Sequence, residues 1–288
     1  MVTKRRRCGT MAAHMRLLEA YAPFRGRQQR LEKQTALRRG LAAVARKPPL
    51  VRVPVVVNVV FRNEDENVSL AQVRSQIAVL NRDFARTNDD RTKVPEPWKG
   101  LAADSRIRFT LAKVTRTKTA SPSFSTDDAV KYAGAGGIPP FEPAKHLNLW
   151  VCALADGVLG YAQFPGGPAG TDGVVIDYRA FGTHGTAAAP FDLGRTATHE
   201  VGHYFNLRHI WADTEDCSGS DFVADTPNAA GPNFGTPAFP SVSCGNGPHG
   251  DMFMNYMDYV DDAAMVLFTA QQALRMRTAL ERARPGLG

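Results

Sequence analysis

From Val51 to Val60 the chain is rich in valine, and an apolar run of that length reads as a buried strand. A polar interval follows, then Ser69-Leu70-Ala71-Gln72, which has the form of a capping box. Val73, Ile77, Leu80 and Phe84 then recur at helical spacing, which predicts an amphipathic helix over roughly 70–85. Ile107, Phe109 and Leu111 alternate as a strand, and Leu147 to Cys152 and Gly173 to Tyr178 read as two more. An edge strand is expected near Leu159 to Phe164, where an extended peptide would bind by adding itself to the sheet. Thr269 and Gln272 form a second capping box, and Ala273, Met276 and Leu280 face one way, giving a helix over about 270–283. Before the first strand, Met15 to Tyr21 and Gln28 to Leu41 lean to helix, and Lys47-Pro48-Pro49 reads as a stiff linker. Residues 210–250 carry little periodicity and much Gly, Pro, Asp and Asn, so they need staples or metal to stay ordered.

Charge changes this picture at one end only. The net charge is +7, yet residues 1–50 hold 13 Lys or Arg against 2 acids, and the remainder is mildly acidic. A basic segment beside an acidic body suggests an arm that docks on that body or is cut off. No aromatic platform or reader motif accompanies the arginines, which argues against a nucleic-acid module. No apolar run has the length of a membrane span. The start Met1-Val2-Thr3-Lys4-Arg5-Arg6-Arg7 has no apolar stretch of signal length after it, so export would use another route or a leader removed earlier. Of the four cysteines, Cys152 lies in an apolar run and reads as a core thiol. Cys217 and Cys244 flank the irregular stretch, where a disulfide would pin it, the alternative being two free buried thiols.

The chemistry concentrates in His199-Glu200-Val201-Gly202-His203-Tyr204-Phe205-Asn206-Leu207-Arg208-His209. On a helix His199 and His203 stand one turn apart and face the same way, so two imidazoles can grip one Zn²⁺. Glu200 then points beside the metal, where an attacking water would sit, and can act as general base. His209 can reach the same metal only if the chain turns back after Phe205, and Asn206 is the best non-glycine residue for such a left-handed turn. Three imidazoles with one open position describe a catalytic zinc site.

About fifty residues on stands Asn255-Tyr256-Met257-Asp258-Tyr259. With the zinc motif it resembles the metzincin peptidases, which carry a Met-turn after their histidines. Ile210 to Asp213, Asp225-Thr226-Pro227, Phe268 to Gln272, Leu147 to Cys152 and Gly160 to Pro165 make the sequence similar to the pappalysin family, over most of the chain from about residue 50. The resemblance implies an α+β metzincin-type fold: a mixed twisted sheet above an active-site helix, and an irregular lower part. The expected division is a basic pro-segment (1–47) and a catalytic domain (48–288), its upper part about 48–206 and its lower part about 207–288. Met257 would floor the three histidines. Tyr259 would hydrogen-bond the reaction intermediate or occupy a metal position at rest. A structural Ca²⁺ including Asp225 is implied, with Asp213, Glu215, Asp216 and Asp221 as further oxygen donors; solvated loop acids are the alternative. The family has a cysteine where Ala264 stands, so no second bridge is expected. Asn206 replaces the metzincin glycine, at small cost if its φ is positive.

The resemblance also implies a latent form, with Cys8 as a thiolate filling the fourth metal position; a stray free thiol is the alternative. Removal of about the first 47 residues would then activate the enzyme, with Arg38-Arg39 and Arg46-Lys47 as candidate cut regions. The expected reaction is hydrolysis of internal peptide bonds in substrates bound as an extended strand, by a secreted zinc endopeptidase inhibited by its own pro-segment. Some family members prefer Arg or Lys after the scissile bond, and Asp258, Asp261 and Asp262 near the expected pocket would suit that; an apolar preference stays open. Two other readings remain: a zinc-stapled binding protein without catalysis, and nucleic-acid binding through the basic segment.

Overall fold

The valine-rich run becomes β1 (Val51–Phe61), buried on both faces near the middle of a five-stranded sheet in a computed structural model that describes residues 5–41 and 48–288. Its neighbours are β2 (Ile107–Lys118) and β3 (Leu147–Cys152), both parallel to it. β4 (Gly160–Ala162) and β5 (Val174–Asp177) complete the order β2-β1-β3-β5-β4. β4 alone runs antiparallel and forms one edge. β-Branched valines favour this extended, close-packed arrangement, because their stiff side chains fit a pleated surface. β2 runs past Leu111 to Lys118 with mostly exposed side chains, as the opposite edge strand.

Two helices cover one face: α3 (Leu70–Ala85) and α4 (Arg195–Tyr204), the helix of the histidine motif. Phe84, at the end of α3, meets Phe109 of β2 and Phe268 edge-on, with ring centroids 4.9 and 5.0 Å apart. On the other face Trp150 and Tyr161 pack with Phe124 and Val130. Below α4 the chain is largely irregular. It contains the short parallel pair β6 (Phe234–Gly235) and β7 (Tyr259–Val260) and one 3-10 turn (Asp262–Ala264) before α5 (Ala270–Ala283). The Cys217–Cys244 disulfide closes the loop region between them. At the other end of the chain, α1 (Thr10–Ala20) lies against β4 and α2 (Pro23–Leu41) against α5.

Several expectations need adjustment. Only half of the capping box at Ser69 forms. The Ser69 hydroxyl accepts from the Gln72 N–H at 3.1 Å, but the Gln72 amide turns away to the Phe181 carbonyl at 2.8 Å. The 178–186 loop engages both ends of that amide, since its Oε1 accepts from the Thr186 N–H at 3.3 Å in place of the Ser69 N–H. The box at Thr269 and Gln272 is complete. α1 begins at Thr10 instead of near Met15, because the cysteine turn before it is tied into the sheet edge. The Lys47 boundary and the Arg46-Lys47 cut region lie outside the described residues.

Candidate active site

The turn that Asn206 was expected to make is present. α4 ends at Tyr204, Asn206 takes φ 75°, and the chain reverses to bring His209 back to the helix. His199, His203 and His209 are fully buried and their Nε2 atoms lie 3.1–3.2 Å apart. Each Nδ1 faces an acceptor: the Tyr256 carbonyl at 2.7 Å, the Leu207 carbonyl at 2.8 Å and the Asp213 carboxylate at 2.6 Å. The protons therefore sit on Nδ1, and three Nε2 lone pairs converge in a water-poor site. Such a cluster repels itself unless a cation lies at its focus. The spacing suits one tetrahedral ion, for which Zn–N bonds of about 2.0–2.1 Å put the nitrogens roughly 3.3 Å apart. The residues present fit zinc.

Cys8 supplies a fourth donor. Its sulfur lies 3.5 Å from His203 Nε2, within reach of all three histidines, and accepts from the Thr10 N–H at 3.4 Å. Burial, and then the nearby Glu200, push the thiol well above its usual pKa. A bound cation reverses that, because a coordinating thiol loses its proton. Among the described residues this is the one cluster of three or more His, Cys, Asp or Glu donors close enough to share an ion.

Glu200 is buried beside the histidines, and burial raises its carboxyl to about 7. Its Oε2 accepts from the Thr10 hydroxyl at 2.7 Å. Gly160 makes room for it, since a Cβ there would come within 2.9 Å of Glu200 Cγ. Met257 is fully buried under α4, its sulfur 2.5 Å from where a Cβ on Gly202 would stand. That contact explains a glycine inside the helix, which costs roughly 1 kcal/mol against alanine. Tyr259 lies half-buried, its ring 4.9 Å from that of His209 and 4.6 Å from that of Trp211. Burial, then Cys8, raise its phenol. Trp211 stacks flat on His209 with centroids 4.4 Å apart.

The segment from Arg5 to Gly9 fills the cleft. Cys8 bridges to Gly160 in parallel sense: the Gly9 N–H donates to the Gly160 carbonyl at 2.8 Å, and the Leu159 N–H to the Arg7 carbonyl at 2.9 Å. Arg6 is buried in a pocket beside α4. It donates to Asp262 at 2.5 Å, the Thr196 hydroxyl at 3.0 Å and the Val260 carbonyl at 3.1 Å, with its guanidinium over Phe191. Of the three acids expected at that wall, Asp262 alone meets Arg6 directly. Asp258 instead accepts from the N–H groups of Asn233 and Tyr259.

The acids expected around calcium do not converge. Asp213 holds His209, Asp216 turns to Ser218, and Asp221 accepts from Thr226. Asp225 accepts from the Thr269 hydroxyl at 2.6 Å and the Gln271 N–H at 3.0 Å, so it caps the start of α5. Sequence reasoning assigned Asp213 to calcium and missed it as the partner of a histidine; its spacing of four from His209 was the available signal. It also missed Arg195, which ties the start of α4 to Asp83 and Asp90 at 3.2 and 2.9 Å.

Comparison with known proteins agrees with this geometry. Residues 139–281 match the family model described as pregnancy-associated plasma protein-A, a peptidase family. A mutant of Tannerella forsythia promirolysin is 42% identical, with a TM-score of 0.89 over 98% of this chain and 97% of that one. Mature mirolysin from the same organism, in complex with a cleaved peptide, is 48% identical, with a TM-score of 0.79 over 80% of this chain and 92% of that one. An extracellular metalloprotease of Pyricularia oryzae is 32% identical over 97% of this chain and 90% of its own length.

Proposed function

The chain belongs to the pappalysin family of metzincin-type zinc metalloproteases, and from that premise we propose that it is a latent endopeptidase in which residues 1–47 block the catalytic site of residues 48–288. The observation that carries this reading is the plugging of one cleft at three points: Cys8 at the histidines, Thr10 on Glu200 and Arg6 in the pocket beside α4. His199, His203 and His209 hold the metal, and Met257 supports them from below. Zn²⁺, when bound, polarises the scissile carbonyl and makes a nearby water more acidic. Glu200 takes a proton from the attacking water on a carboxylate oxygen and hands it to the leaving amine. Tyr259 donates its hydroxyl proton toward the carbonyl oxygen as that oxygen gains charge.

Substrates bind as an extended strand along β4. The edge groups that now pair with Arg7 and Gly9 are the ones a substrate backbone would use. The Arg6 pocket supports a preference for Arg or Lys just after the scissile bond, since it already closes around a guanidinium with Asp262 at its end. Relatives described as extracellular support an exported enzyme, and no helix among the described residues is long and apolar enough to cross a membrane. Zn²⁺ is the metal of this reading. Asp225 would have to leave Thr269 and Gln271 to hold Ca²⁺. A non-catalytic zinc-stapled role leaves the Thr10 contact on Glu200 without a purpose. A nucleic-acid role is disfavoured because Arg6, Arg16 and Arg38 pair with Asp262, Asp128 and Glu281.

The test is Glu200→Ala in the trimmed chain. Peptide hydrolysis should fall by several orders of magnitude while zinc content is kept. Near-normal hydrolysis would refute the mechanism.

A further inference from the structure

α2 carries a single acid, Glu32, among many bases, and that acid is turned onto the body of the protein. Arg275 of α5 meets it as a fork. Nη1 donates to Oε2 at 2.7 Å and Nη2 to Oε1 at 2.5 Å. The Asn206 amide adds a third donor to Oε1 at 3.2 Å. Planar, two-pronged recognition of this kind is the strongest side-chain pairing for a carboxylate.

The receptor does not depend on Glu32 for its shape. The Arg275 side chain is buried, and its Nε donates to the Asn206 carbonyl at 2.6 Å, so the guanidinium is oriented by the turn that carries the histidine motif. The Phe222 ring lies 5.6 Å from this guanidinium and 4.9 Å from that of Arg208. Two cations thus share one aromatic ring, and α2 brings a carboxylate to one of them. When α2 leaves, Arg275 and the Asn206 amide lose their acceptor while the turn still holds them in place. A guanidinium that the turn still orients offers two converging donors, and an incoming carboxylate can take both.

We propose that Arg275 and Asn206 form a carboxylate subsite of the substrate groove, filled by Glu32 in the latent chain and by an acidic side chain of the peptide substrate once the pro-segment has gone. The inference rests on the latent-peptidase reading and adds a substrate class to it. Arg6 meets Thr196 at the start of α4, whereas Glu32 meets Asn206 just past its end, with His199 and His203 between them. If the Arg6 pocket takes the residue after the scissile bond, this subsite takes one before it. The glycine usual in metzincins at position 206 has no side-chain amide to offer, so the third donor comes with this chain's departure from that pattern.

The experiment uses the full chain after its pro-segment has been removed. Fluorogenic peptides carry Glu at successive positions upstream of the cleaved bond, each paired with a Gln peptide. At one upstream position kcat/KM should favour Glu over Gln by about tenfold, the factor that roughly 1.4 kcal/mol of charge-assisted hydrogen bonding supplies. In Arg275→Lys the ratio measured within that variant should fall close to one. Should that variant fail to fold, the ratio in the unaltered chain decides alone. In the intact chain Glu32→Gln should shorten the half-time of activation several-fold. Equal cleavage of Glu and Gln peptides at every position, or a Glu32→Gln chain that activates no faster, overturns the subsite. Cleavage of neither peptide by the trimmed chain overturns the peptidase reading instead.

Discussion

The Thr10 hydroxyl donates to the Glu200 carboxylate at 2.7 Å while accepting from the Ala162 N–H at 2.8 Å. One side chain thus ties the proposed general base to the edge strand. On the proposed reading latency is built twice, at the metal position through Cys8 and at the base through Thr10. A hydrogen bond to a charged group contributes about 1.5–3 kcal/mol. Thr10→Val should therefore speed activation of the intact chain by roughly tenfold to a hundredfold, and Cys8→Ala should give measurable activity before any cleavage. Activation half-times read by peptide hydrolysis check both. A Cys8→Ala chain that stays fully latent would sink the switch.

Acid should loosen the pro-segment. His14 of α1 is buried between Phe24 and Phe164, with ring centroids 5.3 and 5.0 Å away. Burial, aided by Arg208 and opposed by Asp213, lowers its pKa to about 4. A lowered histidine pKa favours the neutral, docked form. Its contribution is complete above about 6.5, the free value, and is lost as pH falls toward 4. Activation in trans by a second protease, measured from pH 7 to pH 4.5, should accelerate on acidification by up to about tenfold per pH unit below 6.5. His14→Phe should flatten that slope. An unchanged slope in His14→Phe would remove His14 as the cause.

Asp213 should tune the metal through His209. Substitution of such an outer partner typically costs about 10–100-fold in metal affinity. Asp213→Asn should show that loss in competition with a chelating dye, with the fold intact by thermal unfolding. Unaltered zinc affinity would make Asp213 an ordinary loop acid.

The Cys217–Cys244 bridge closes a loop of 27 residues in a region with little regular structure. Replacing both cysteines with serine should lower stability by about 3–4 kcal/mol on the chain-entropy account. Denaturant unfolding measures it, and a change under about 1 kcal/mol would mean that the loop is held by its other contacts.

Elements with a strong period were legible in the chain. The valine run, the 70–85 helix and the helix ending at Ala283 lie where periodicity put them, since one buried face dictates each. The reversal at Asn206 was legible because His209 can reach the other histidines only through it. Most of what escaped depends on contacts distant in sequence, the Asp213–His209 pair at spacing four being the exception. Gln72 leaves its cap for the 178–186 loop, α1 starts early because Thr10 is anchored on Glu200, and Asp213 turns from solvent to His209. Composition made 210–250 look like a place for calcium, yet Asp213, Asp221 and Asp225 each go to a separate partner, His209, Thr226 and Thr269. The charge map suggests an arm that docks on the body or is cut off, but it does not say that Arg6, Glu32 and Arg38 each meet a partner of opposite charge.

The central claim is that a zinc peptidase lies locked beneath its own N-terminal segment. The direct measurement is hydrolysis of an unfolded protein substrate by the chain before and after removal of about 47 residues, each with chelator and then with Zn²⁺ restored. The account predicts little cleavage by the intact chain, strong cleavage after trimming, loss on chelation and recovery with Zn²⁺. Cleavage that survives chelation, or that is equal before and after trimming, would contradict it.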